Sequence, residues 1–129
     1  MKEYILRTNS RTELVNIDHV IEDAVRSSGV ENGSCTVFVP HTTAAVTINE
    51  NADPAVRKDI LMELNKLIPF NDNYAHNEGN SAAHIKSSLV GCSISLIIAG
   101  GRLQMGTWQS VFLCEFDGPR TRKVWVKVG

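Results

Sequence analysis

Three of the chain's four histidines fall in two short polar segments, His41-Thr-Thr-Ala-Ala-Val-Thr-Ile-Asn-Glu-Asn-Ala-Asp53 and His76-Asn-Glu-Gly-Asn-Ser-Ala-Ala-His84. Imidazoles bind metals and move protons near neutral pH. The same segments carry Asn49, Glu50, Asp53, Glu78 and Asn80, the side chains of acid–base chemistry and polar ligand binding. Three histidines drawn together, His41, His76 and His84, would leave an open position on a zinc-like ion, as catalytic metal sites do. The i, i+4 spacing of a helical zinc pair is absent, so spacing alone does not specify a metal. Taken alone, each histidine reads better as an ordinary residue, His41 and His84 hydrogen-bonded and structural, His76 solvated. Their grouping with carboxylates favours a site.

Other segments could complete that chemistry. Asp53 and Asn80 or Ser81 stand at helix starts, where unpaired backbone N–H groups attract anions. A plain capping role explains them equally well. Arg120, Arg122 and Lys123 form a basic cluster after Asp117-Gly118-Pro119, and an arginine fork suits phosphate or carboxylate. Equal parity would put Arg120 and Arg122 on one side of a strand, and a solvated, charged edge is the alternative for Arg122 and Lys123. Trp108 and Gln109 could wall a pocket for a ring, although a buried core tryptophan is the plainer expectation. No G-x-G-x-x-G or Walker A pattern occurs, which argues against a nucleotide cofactor.

The elements that must position these residues can be read from pattern and punctuation. Residues 3–7 and 13–17 read as strands, with a hairpin between them. Asp18 is a candidate N-cap for a helix that Gly29 closes. Strands follow at 34–39 and 44–48. Asp53-Pro54 opens a helix, an N-cap followed by proline at the first position. Val56, Ile60, Leu64 and Leu67 give it an apolar stripe, and Pro69 ends it. Residues 70–79 have loop composition. A short helix runs from Asn80 or Ser81 to Leu89 or Val90, and strands at 92–98, 101–105, 108–116 and 121–128 complete the chain. This mixed order predicts an α+β fold, mainly antiparallel sheets in a β-sandwich-like core with about three helices.

At 129 residues the chain makes one domain, 1–129. A net charge of −1 gives no overall pull toward nucleic acid or anionic membrane. No apolar run approaches the ~20 residues of a membrane span, and the N-terminus lacks a secretory apolar region. Cys35, Cys92 and Cys114 lie in strand-like runs without a C-x-x-C pair, so buried, reduced thiols in a cytoplasmic protein are expected.

Four ordered motifs resemble the YjbQ-like family: His-Thr-Thr-Ala-Ala with Asn-Glu-Asn-Ala-Asp-Pro across 41–54, His-x-Glu-Gly-Asn-Ser-x-Ala-His at 76–84, Gly-Gly-Arg-Leu-x-x-Gly-Thr-Trp-Gln at 100–109 and Asp-Gly-Pro-Arg at 117–120. The resemblance spans nearly the whole chain. It implies a β-sandwich-like α+β fold, a homotrimer, and a weak, secondary thiamine phosphate synthase activity. It also implies a polar pocket able to hold a divalent metal, zinc or magnesium. By motif matching His84, Asp53, Glu78 and Glu50 would be catalytic. His41, His76 and His84 would face the metal. Asn49, Asn80, Trp108, Gln109 and Arg120 would contact the substrate.

Joining a pyrimidine methyl diphosphate to a thiazole phosphate requires the departing pyrophosphate to be neutralised by a cation or arginine. The expectation is therefore a small-molecule enzyme with a phosphorylated substrate. The alternatives are a non-catalytic metabolite- or metal-binding module and a metal-assisted hydrolase. Dedicated thiamine phosphate synthases are barrels of roughly 200 residues or more; this chain is too short for that fold.

Overall fold

The computed structural model describes all 129 residues, Met1–Gly129. The elements in chain order are β1 (Lys2–Arg7), β2 (Glu13–Asn16), α1 (Asp18–Ser28), β3 (Gly33–Phe38), β4 (Ala44–Glu50), α2 (Pro54–Leu67), α3 (Ser81–Val90), β5 (Ser93–Ala99), β6 (Arg102–Gln104), β7 (Gln109–Glu115) and β8 (Thr121–Val128). The strands form a five-stranded sheet, β1-β8-β3-β5-β6, and a three-stranded sheet, β2-β7-β4, and every pairing is antiparallel. The fold is α+β, with three helices.

Alternation explains how the layers face each other. In β3, Cys35 and Val37 point inward while Ser34, Thr36 and Phe38 point out. Val124 and Val126 of β8, with Leu96 and Ile98 of β5, join them in one core with Ala44 and Val46 of β4 and Val111 and Leu113 of β7. Val20, Ile21, Ala24 and Val25 of α1 fill the same core. A smaller cluster lies on the far face of the three-stranded sheet, where Ala45, Cys114 and Phe116 pack against Ala83 of α3 and Leu61 and Leu64 of α2. Strand β7 is thus covered on both faces, which is why Ser110–Phe116 is a continuous buried run.

Several expectations are corrected. Strands β1 and β2 do not form a hairpin; β1 pairs with β8 and β2 with β7, in different sheets. The Glu13 carboxylate accepts from the Asn9 and Ser10 amides, closing a bend that carries the chain out of the first sheet. The α1 N-cap is Ile17, not Asp18, whose carboxylate instead accepts from the Val111 amide at 2.8 Å. The stripe on α2 is only partly used: Leu61 and Leu64 pack, while Leu67 is 73% exposed and no α2 residue is fully buried. Cys35 and Cys114 are buried, but Cys92 is exposed just before β5. All three thiols are free. No helix is long and apolar enough to cross a membrane.

Candidate functional site

The polar residues singled out by the sequence divide between the two ends of the three-stranded sheet. Strand β4 spans seven residues, so at about 3.3 Å per residue its ends lie ~20 Å apart. Ala44 pairs with Glu115 at one end and Glu50 with Gln109 at the other. His41 immediately precedes the first end, where α3 brings His84 and the preceding loop brings His76, Glu78 and Asn80. Asn49, Glu50, Asp53, Trp108 and Gln109 gather at the second.

At the histidine end, the His76 and His84 rings meet edge to face with centroids 5.6 Å apart. His76 Nε2 lies 3.7 Å from Glu78 Oε2. His84 sits in the first turn of α3, its amide bonded to the Asn80 carbonyl at 3.3 Å. Tyr74, Ala75, His76, Ser81, His84 and Ile85 line an open cavity of about 420 Å³. A second depression joins the other side of His84 to His41, Ser88 and Cys92. Asn80 is the α3 N-cap residue, but its side chain makes no capping bond. Its Nδ2 donates instead to Asp117 Oδ2 at 2.9 Å, and Arg120 Nη2 donates to the same oxygen at 3.1 Å. The buried Asn80 Oδ1 has no partner.

His41 is held differently. Its Nε2 accepts the Lys123 amide at 2.8 Å, so the neutral ring carries its proton on Nδ1. Partial burial, followed by the positive field of Arg122, lowers its pKa below the usual 6.5. No three His, Cys, Asp or Glu side chains converge within the chain to hold a metal. The three-histidine arrangement therefore does not form in one copy: His76 and His84 adjoin, whereas the His41 nitrogen is already occupied.

Beneath this end lies a buried ionic network. Arg122 donates through Nε to Glu115 Oε1 at 2.9 Å and through Nη2 to Glu115 Oε2 and to Thr43. Glu115 also accepts the Thr8 hydroxyl at 2.7 Å and the Asp117 amide at 3.0 Å. Burial alone would push the Glu115 carboxyl up, but Arg122, the Asp117 amide and Thr8 together outweigh it, and its pKa is lowered. Arg122 is thus no solvated edge residue. Strand β8 lies inside its sheet, and the even positions of β8 face the core. Arg120 does not share that face; it lies before β8 and folds back onto the Asp117 carbonyl.

The second end is open. The Asp53 carboxylate caps α2 by accepting the Ala55 amide at 2.9 Å. The Asn49 side chain accepts from the Glu50 amide, and the Gln109 amide oxygen from the Gly106 N–H. Trp108 is not a core residue: it is 63% exposed.

Lys86 belongs to none of the motifs, yet it is fully buried, donates to Asn65 Oδ1 and lies 4.2 Å from the Phe70 ring centroid. Burial, then nearby Arg11, lowers its pKa. It ties α3 to α2 behind the histidines. Cys114 is excluded as a nucleophile, since burial pushes its thiol up to about 12. Asp117 is the neglected member of the histidine end; Asp-Gly-Pro signalled its turn but not that its carboxylate joins Asn80 to Arg120.

A family model described as "UPF0047 protein YjbQ-like" matches residues 2–129. The chain belongs to the YjbQ/UPF0047 family. The UPF0047 protein of Methanocaldococcus jannaschii is 55% identical over 126 residues, 98% of this chain and 91% of that protein. The UPF0047 protein YugU of Bacillus subtilis is 44% identical and covers 99% of this chain and 98% of its own length. Among solved structures, an uncharacterised family member from Clostridium acetobutylicum superposes with a TM-score of 0.99 at 51% identity, covering 100% of both chains. A YbjQ-like protein of unknown function from Sulfolobus solfataricus gives 0.94 at 34% identity, over 98% of this chain and 94% of its own.

Proposed function

We propose that the histidine end carries acid–base chemistry on a small phosphorylated molecule, in a pyrophosphate-releasing transfer of the kind that makes thiamine phosphate. The supporting observation is the His76–His84 pair, edge to face at 5.6 Å beside Glu78 in an open cavity. These rings are accessible, and no strong internal hydrogen bond holds their nitrogens. One imidazole can give a proton while the other takes one. Arg120, held by Asp117, and the start of α3 provide positive potential for a departing pyrophosphate.

The donors of one chain do not assemble a three-ligand metal site. Zinc bound here would take His76 and His84 and find further donors outside the chain, whereas magnesium, which takes oxygen ligands, would turn to Glu78 and the substrate phosphates. The proposed assembly is a homotrimer, and the proposed setting is the cytoplasm, where three free thiols would stay reduced.

The test is pyrophosphate release from a hydroxymethylpyrimidine diphosphate and a thiazole phosphate. Wild type should form thiamine phosphate, and His84→Ala should lose roughly 100-fold or more of that rate. Equal rates in both proteins would place the chemistry elsewhere.

A further inference from the structure

Cys92 is the chain's one exposed thiol; Cys35 and Cys114 are each 1% exposed. Its place is fixed by the backbone around it. Gly91 ends α3 with a φ of +98°, a turn that residues bearing a side chain rarely make. The Gly91 carbonyl accepts the Val46 amide at 3.0 Å, and the Cys92 carbonyl accepts the Val39 amide at 2.8 Å. The thiol therefore stands on well-bonded backbone where two hollows meet. One, of about 380 Å³, is walled by Phe38, Val39, Pro40, His41 and Thr42. The other, of about 360 Å³, runs from His41 to Ser87, Ser88 and His84.

The second hollow holds polar groups that the chain itself leaves without partners. Ser87 is only 7% exposed, and its buried Oγ is bonded to nothing. Its neighbour Ser88 donates to the His84 carbonyl one turn back, as helical serines commonly do. Ser87 lines the hollow instead. His41 adds a second donor: its Nε2 accepts the Lys123 amide, so the free Nδ1 carries the proton. Thr42 brings a further hydroxyl. No carboxylate lines either hollow. A ligand tethered here needs acceptor oxygens, from a carboxylate or a peptide amide.

We propose that Cys92 is a site of reversible S-thiolation by a low-molecular-weight disulfide with a peptide-like, carboxylate-bearing arm, and that the arm fills the hollow beside His84. Cys92 Sγ attacks one sulfur of the disulfide as the thiolate. The new S–S bond forms as the old one breaks, and the departing thiolate takes up the proton that Cys92 released. Cys92 is thereby oxidised and the incoming disulfide is reduced to one thiol. Excess thiol reverses the exchange. Held by Ser87 and His41, the arm covers one side of the His84 ring. The proposal rests on the pocket reading only for its consequence, that thiolation switches off the chemistry assigned to His84.

Folded protein incubated with glutathione disulfide should gain one glutathionyl group per chain, located on Cys92 by peptide mass mapping. Dithiothreitol should remove it, and Cys92→Ser should take none. Carbethoxylation of His84 by diethyl pyrocarbonate, mapped in the same way, reports its cover without any substrate. The adduct should lose most of that reaction, whereas Cys92→Ser exposed to the disulfide should keep it. Ser87→Ala should slow glutathione disulfide relative to methyl methanethiosulfonate, whose methyl arm needs no donor. Thr42→Val, at an exposed position, gives the same comparison should Ser87→Ala misfold. An unreactive Cys92, an adduct that leaves His84 carbethoxylation unchanged, or an unchanged ratio of the two reagents would overturn the site. Pyrophosphate release enters none of these readings, so a failed pocket reading leaves them standing. A protein that releases pyrophosphate but takes no adduct refutes this proposal alone.

Discussion

Two polar clusters lie one above the other at the same end of the three-stranded sheet, and they differ in nearly every physical respect. Arg122 and Glu115 are fully buried, and each is bonded on several sides by Thr8, Thr43 and the Asp117 amide. His76 and His84 are accessible, held mainly by a ring contact and a long approach to Glu78. A satisfied buried network fixes where strands β7, β8 and the loop before β4 meet, but its groups cannot reach a substrate. The open pair adds little to stability, which leaves its protons free to move. In the proposed function the lower cluster is the platform and the upper one the tool.

The contrast breaks most visibly at Arg122. Arg122→Met leaves the Glu115 charge buried without its partner and should cost about 3–5 kcal/mol, read as a shifted urea midpoint. Removing both charges together, with Glu115→Leu, should recover much of the loss. A smaller effect is expected one turn away. A Cβ at Gly118 would stand 2.3 Å from the Ser10 carbonyl oxygen and 2.7 Å from Glu115 Cγ, so Gly118→Ala should cost about 1–3 kcal/mol by the same measurement. At the opposite end of the sheet, Asp53→Ala should lose ~1 kcal/mol with the α2 cap. His84→Ala should shift stability least, by no more than ~0.5 kcal/mol.

The platform also sets a pH dependence. Glu115 has a folded pKa below its ordinary 4.5, so the unfolded chain binds its proton first. Its stabilisation is present above 4.5 and is lost as pH falls through the lower folded value. His41 acts in the same direction at higher pH. Its folded pKa lies below 6.5, so stability should decline as pH drops beneath 6.5 until His41 itself protonates in the fold. Urea midpoints should therefore fall in two stages as pH drops from 7 to well below 4.5, and His41→Gln should remove the first.

What could be read in the sequence was local. Asp53-Pro54 and Gly29 announce helix ends because capping uses neighbours in the chain, and strands β3, β7 and β8 show their own alternation or apolar runs. Proximity in sequence pairs the first two strands, whereas β1 finds its partner more than a hundred residues later, a pairing that no local signal encodes. In the sequence Arg122 looks like an edge charge, because its burial depends on β8 lying inside the sheet and on Glu115 arriving across a turn. Residue type alone places Trp108 in the core, yet it stands exposed just before β7. The division of the polar set was within reach. Residues 44–48 read as a strand, and an extended run between His41 and Glu50 separates them by its own length.

The most direct measurement compares His84→Ala with wild type in one preparation, by urea midpoint and by pyrophosphate release. An unchanged midpoint with release reduced roughly 100-fold or more is the predicted result. Wild-type release from His84→Ala, or a large loss of stability, would contradict the division between platform and tool.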